Sequence, residues 1–403
     1  MKKIAILLIL SMSLFTPAHA VQKNIAVKKI EKLVIAPDAE LLIASGSSII
    51  LISNIDTPTA RISISALNAS GSVIWQKKIE SQQDEIASAV TSDREGNIWL
   101  AGFASLERTI ESATATAAET ETSTTTAENP DAVVAEDYPD MREDLRVLKT
   151  WKISPLGEVI AQYTKELSEP GLINGISVNA SGISIVGQFS GRPFLMTANQ
   201  SGVFSKMYFV GTSKTVINTV VRNSDSSSNL FGASSEKLGG KNLAGKRDGI
   251  LMKVGKTGSI TSVVRSSIAK GDRAWLSSDS NLLLSGYVKS GKVVESAITK
   301  FNTAFVPTWT IRIPSNGESI ALSTSKNSYV ALSSNSTVKS LIGWKPSKSQ
   351  LLLLTFNTKG LITAASGISD LSSPFALSYS QELGIVGLAK TADQGVAVFK
   401  LSK

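Results

Sequence analysis

The chain of 403 residues contains no cysteine and a single histidine, His19. Without cysteine there is no disulfide, no thiolate nucleophile and no thiolate metal site. The lipidated cysteine that tethers a bacterial lipoprotein is missing too. His19 lies inside an N-terminal stretch that reads as a cleaved leader, so the mature chain is expected to lack histidine as well. A Ser-His-Asp triad, a histidine general base and a His-ligated zinc or iron site are thereby excluded. Any catalysis would rest on Asp, Glu, Lys, Arg, Tyr or Ser. Beyond the leader no apolar run is long enough to span a bilayer. Apolar spacing at i, i+3, i+4, the mark of an amphipathic helix, is hard to find.

The leader has the three parts of a secretory signal peptide. Lys2 and Lys3 give a basic start, residues 4–15 are almost wholly apolar, and Ala18-His19-Ala20 supplies small residues at the cleavage spacing. Residues 1–20 are therefore read as a signal peptide and residues 21–403 as one exported domain. That domain is expected to be periplasmic or extracellular, soluble, not lipidated and monomeric.

The formal net charge of +8 is unevenly spread: residues 107–146 hold eleven acids against three bases. Within them, residues 112–129 are Ala, Thr, Ser and Glu in near-repeat, with no large apolar residue. Such text cannot bury a core, and residues 105–143 are read as an acidic, disordered loop insertion. The bases elsewhere stand singly rather than in clusters, which argues against a nucleic-acid partner. A basic body with an acidic appendage suits anionic envelope polymers or headgroups, or is simply a solvated surface.

What the chain does have is repetition. Short apolar runs rich in Ile, Val and Leu alternate with Gly, Asn, Asp and Ser, a strand-and-turn text. One kind of run ends at Gly46, Gly102, Gly187, Gly232, Gly286 and Gly387, with Leu332 standing in once. The spacing is about fifty residues except where the acidic insertion stretches it, as four-stranded radial blades require. A run before each marker, a run after it and a further run past a glycine turn supply the other strands. In the first repeat these are 32–36, 40–46, 62–67 and 73–79. The chain ends on a third-type strand, and residues 24–30 form a fourth-type strand with no blade before them. The expected fold is an all-β, seven-bladed β-propeller of four-stranded blades, its ring closed by that N-terminal strand completing the C-terminal blade.

Two stretches carry a family resemblance. Asp93-Arg94-Glu95-Gly96-Asn97-Ile98-Trp99-Leu100-Ala101-Gly102 resembles the acid-x-x-Gly-Asn-aromatic signature of bacterial β-propeller repeats, the SBBP, NHL and quinoprotein-like groups. Leu67-Asn68-Ala69-Ser70-Gly71-Ser72-Val73-Ile74-Trp75 is similar to their turn-and-Trp signature. The resemblance implies fold only, since propellers host enzymes, receptors and scaffolds alike. The quinoprotein resemblance implies a cofactor site with a vicinal disulfide and a calcium held by carboxylate and amide ligands. Neither is evident here, so no cofactor and no metal are expected, and the Trp residues are expected to pack between blades.

In the implied blade order the loops from fourth to first strand share one face with those from second to third. The candidate binding face is Asp84, Glu85, Asn174, Asp272, Arg273, Glu318 and Asp370. The insertion would rise from the same face. The expectation is a non-enzymatic binding or scaffold module for a protein or polysaccharide of the envelope. The alternative is a glycan hydrolase or lyase using Asp84, Glu85, Asp272 or Glu318 as general acid and base. In either reading solvated loop acids are the plain competitor.

Overall fold

A computed structural model describes residues 24–56, 60–106 and 142–401. The expected signal peptide and residues 107–141 of the insertion lie outside the described residues. Among those described, every regular element is a β-strand, and the molecule is a β-propeller.

The expectation of seven four-stranded blades is overturned. The four-stranded blades number six, and the remaining sheet has six strands. The first blade is Leu41–Ser45, Ser48–Asp56, Ala60–Leu67 and Val73–Lys78. The second is Glu85–Ser92, Ile98–Ala104, Val147–Ile153 and Val159–Glu166; the third runs from Gly171–Asn179 to the short strand Tyr208–Phe209. The fourth spans Thr215–Arg222 to Ile260–Ser266, and the fifth Asp272–Ser278 to Pro307–Pro314. The six-stranded sheet follows, and then the last blade, built on Leu371–Ser380, Gly384–Thr391 and Val396–Lys400.

Two short N-terminal strands account for the departure. β1 (Ile25–Lys29), expected to complete the last blade, instead lies parallel to Ile362–Ile368 and to Leu341–Ile342. β1 and Leu341–Ile342 together bring that sheet to six strands, and Ile25 and Val27 pack against the core cluster that holds Leu341, Ile362 and Trp344. β2 (Glu31–Ile35) supplies the outer strand of the last blade, pairing antiparallel with Val396–Lys400. The residues expected to be the innermost strand of the first blade are thus the outermost strand of another. Gly46, at φ 55°, forms the turn of a tight hairpin in which Ser45 pairs Ser48. Leu41–Ser45 is therefore the innermost strand, and Ser48–Asp56 the second.

Middle strands are mostly buried, Ile98–Ala104 and Ser228–Ser234 along their whole length, because each blade is covered on both faces by its neighbours. Outer strands are more open: in Val73–Lys78, Trp75 and Lys77 are half-buried while Val73, Ile74, Gln76 and Lys78 are exposed. The glycine turn between third and fourth strands lies on an aromatic ring of the preceding blade. A Cβ at Gly157 (φ +82°) would come within 2.7 Å of Trp75; Gly202 stands so against Tyr163, Gly258 against Tyr208 and Gly360 against Trp309. The Trp and Tyr rings thereby seal one blade to the next. Asn68, Asn199, Asn302 and Asn357 shape these turns, each carboxamide oxygen accepting two backbone N–H groups.

Candidate functional site

Five innermost strands carry a β-bulge, an extra residue that the neighbouring strand does not match. The extra residues are Ser88, Asn174, Asn218, Leu276 and Phe375. All five line a cavity of about 600 Å³ on the propeller axis, to which all seven sheets contribute. A bulge re-aims a side chain that regular pairing would turn elsewhere. Here one such residue in each of five blades lines the cavity.

The recurring glycine of the second strand makes these bulges possible. A Cβ at Gly102 would lie 1.8 Å from the Ile86 carbonyl oxygen, at Gly187 1.8 Å from that of Leu172, and at Gly232 1.9 Å from that of Val216. Gly286 stands in the same relation to Ala274; at Gly387 a Cβ would meet the Phe399 ring at 2.4 Å and the Ala376 carbonyl oxygen at 2.5 Å, and the bulge at Phe375 lies further along the strand. Where Leu332 replaces the glycine, Ser319–Ser323 pairs with regular register and has no bulge. The first blade, whose Gly46 lies in a turn, has none in its inner strand either.

The bulge residues also tie blade to blade. Asn174 Nδ2 donates to the Ile217 carbonyl at 2.7 Å, and Asn218 Nδ2 to that of Trp275 at 2.6 Å. Asn54 makes a two-way bond with Ala87 and donates to Glu40 Oε2 at 2.6 Å. The charged residues lining the cavity are Glu40, Glu318 and Lys390, and Leu276 and Phe375 add exposed apolar surface.

The candidate residues from the sequence fall into different settings. Asn174 and Glu318 line the axial cavity, Asn174 from within a strand rather than a loop. Asp84 is buried, accepting from Arg142 Nη2 at 2.6 Å and from the Ala60 N–H at 2.9 Å. Its carbonyl accepts from the Ser105 N–H at 2.8 Å, so the described roots of the insertion, Ser105 and Arg142, both meet it. Hydrogen bonds from Arg142 to Asp144 and Asp84 hold the guanidinium's pKa above its ordinary value. Glu85 is fully buried and paired with Lys149 at 2.5 Å, whose ammonium also lies 5.6 Å from the centre of the Trp151 ring.

Asp272 opens the innermost strand of the fifth blade, its backbone bridging to Arg247. Arg273 is buried inside that blade, stacked on Trp275 at 4.3 Å and donating to Thr299 Oγ1 at 3.1 Å. Burial, with Arg312 nearby, pushes its pKa down to about 10. Asp370 pairs with Lys32 at 2.8 Å beside a cavity of about 410 Å³ where β1 passes into β2. The hydrogen bond from Lys32 lowers its pKa.

The seven candidates therefore do not form one cluster: two meet at the axis and the others are spread over the second, fifth and last blades. Ser88, Asn218, Leu276 and Phe375 were not anticipated. Their residue types share nothing; for Ser88, Asn218 and Leu276 the signal is the strand glycine paired with the residue before each, and Phe375 has none. Among the described residues no group of three or more acids or histidines stands together as a metal site. No described helix is long and apolar enough to cross a membrane.

With the ring and its axial cavity in place, the comparisons concern fold. The WD40 domain of coronin from Toxoplasma gondii superposes with a TM-score of 0.51 at 13% identity, covering 95% of this chain and 89% of that one. BBS1N, solved in complex with ARL6DN, has a TM-score of 0.45 at 10% identity over 94% of this chain and 98% of its own. A Bacteroides caccae protein of unknown function has a TM-score of 0.37 at 8% identity over 81% and 97%. The coronin likeness agrees with the propeller fold and carries nothing further. No family model and no curated protein matches the chain. The narrower resemblance to the SBBP, NHL and quinoprotein-like groups gains no support from them.

Proposed function

We propose that this propeller is an exported, non-enzymatic binding or scaffold module. Its ligand, a protein or polysaccharide of the envelope, meets the axial cavity on the side bearing the roots of the acidic insertion. The observation that carries this reading is the ring of bulge residues. Four blades hold a glycine whose missing side chain makes room for a bulge, a fifth carries its bulge at Phe375, and together the bulges bring Ser88, Asn174, Asn218, Leu276 and Phe375 to one cavity. The mix of amide, hydroxyl and apolar groups suits contact rather than proton transfer. Asp84 and Glu85, central to the hydrolytic alternative, are engaged by Arg142 and Lys149. Export rests on the leader sequence.

The test is capture from an envelope extract on immobilised protein. Wild type, Leu276→Lys, Phe375→Lys and a deletion of residues 107–141 are compared. Loss of a captured species in both channel variants supports the reading. Equal capture by all four would sink it, and turnover of an envelope glycan that Glu318→Gln abolishes would favour the enzyme.

A further inference from the structure

The chain has two Asn-Gly pairs, Asn174-Gly175 and Asn316-Gly317. Asn before Gly is the pair in which the next backbone nitrogen most readily attacks the side-chain amide, because no Cβ shields it. The fold treats the two pairs differently. Asn174 lies within the strand Gly171–Asn179, and its carboxamide is committed to the next blade, Nδ2 donating to the Ile217 carbonyl at 2.7 Å. Asn316 is exposed, in the turn between Pro307–Pro314 and Ser319–Ser323.

The Asn316 side chain is folded back on its own backbone. Its Oδ1 accepts from the Glu318 N–H at 3.3 Å, an Asx-turn, which brings Cγ over the Gly317 nitrogen. The hydrogen bond to Oδ1 also draws electrons from Cγ. Nδ2 stands 3.5 Å from Glu318 Oε2, which sets the end of the amide that meets the N–H. The Gly317 N–H donates to Ser315 Oγ at 2.9 Å. Position 317 has to be glycine: its φ is +100°, and a Cβ would come within 3.1 Å of Tyr287 and Val294. The turn is pinned on both sides, the Asn316 N–H donating to the Ser333 carbonyl and the Ser333 N–H to that of Glu318.

We propose that Asn316 is a self-modification site that converts to aspartate and isoaspartate through a cyclic imide. Base from solvent takes the Gly317 N–H proton, and the nitrogen bonds to Asn316 Cγ. The Cγ–Nδ2 bond breaks, and the amide nitrogen leaves as ammonia with a proton from water. Water then opens the ring, its hydroxyl going to one carbonyl and its hydrogen to the ring nitrogen. Opening at the side-chain carbonyl gives aspartate. Opening at the main-chain carbonyl gives isoaspartate, in which the backbone runs through the former side chain. Either product sets a new carboxylate two residues from Glu318, which lines the axial cavity with Glu40 and Lys390. The rim of that cavity becomes more acidic as the protein ages, whatever the cavity binds.

The experiment holds the full chain in warm, mildly alkaline buffer, folded or in urea. Samples are read over time by peptide mass mapping, with isoaspartyl methyltransferase labelling to detect isoaspartate. In the folded protein Asn316 is expected to convert about tenfold faster than Asn174, which folding protects, and in urea the two should convert alike. Asn316→Gln, whose longer side chain must close a larger ring, should remove the labelling from the folded protein. Equal conversion of the two pairs in the folded protein overturns the proposal. So does an Asn316 that keeps its amide when folded while it converts in urea, or labelling of folded Asn316→Gln equal to wild type.

Discussion

Gly102 lies directly beneath the carbonyl of Ile86, where a Cβ would sit 1.8 Å from the oxygen. The overlap is with backbone, so no rotamer change relieves it. Gly102→Ala is expected to cost more than about 4 kcal/mol, the range of severe core changes, read by urea unfolding. Deleting Ser88 removes the extra residue and with it the bulge. The double variant should therefore be more stable than Gly102→Ala alone, with a pairing like the regular one between Ser319 and Leu332. Absence of rescue would break the link drawn between glycine and bulge.

Glu85 and Lys149 form an ion pair out of reach of solvent, their side chains 0% and 8% exposed. Removing one partner leaves a charge without water or counter-charge, a loss of about 3–5 kcal/mol. Glu85→Leu and Lys149→Met should each fall in that range. The double replacement should cost clearly less than the two losses combined. Additive losses in a double-mutant cycle would mean that the pair contributes nothing as a pair.

Acid should unfold the protein partly through Asp93. Burial pushes its carboxyl up, but hydrogen bonds from Trp99 and Asn97 and the charge of Lys152 outweigh it and hold the pKa below its ordinary value. As pH falls the unfolded chain then takes up the proton first. The stabilisation is complete near neutral pH and is lost as pH drops through about 4 and below. Asp93→Asn should lower the Tm at pH 7 and flatten its fall between about pH 5 and 3. A Tm profile parallel to wild type across that range would rule Asp93 out. Asp225, held at about 2 by hydrogen bonds from Ser227 and by Lys253, is too exposed to add much.

Much of the propeller was legible because its glycines are unforgiving. Gly102, Gly187, Gly232 and Gly286 recur because a carbonyl occupies the place of a side chain at each, and Gly387 because the Phe399 ring and the Ala376 carbonyl leave no room for one. Gly46 looked the same in sequence but serves a hairpin turn, and the first repeat was misread around it. The parallel pairing of β1 with Ile362–Ile368 left no periodic trace, since it depends on which distant edge Ile25 and Val27 reach. At the site, Asp84 and Glu85 were visible as acids, but not their partners. Arg142 and Lys149 stand 58 and 64 residues on, and only the folded blade brings them together. Ser88, Leu276 and Phe375 share a position and no chemistry, so no motif announces them.

The pairing of β2 with Val396–Lys400 has a consequence for how the molecule is made. Glu31 is among the first described residues to leave the ribosome and Lys400 among the last, yet the two face each other in one sheet. The circle therefore cannot shut before Val396–Lys400 has emerged. Until the final strand emerges, both rims of the seam stay open, and long-range closure of this kind is slow. The nascent protein is an arc with two sticky ends, and the interval before they meet is when it is most exposed to misassembly with another copy.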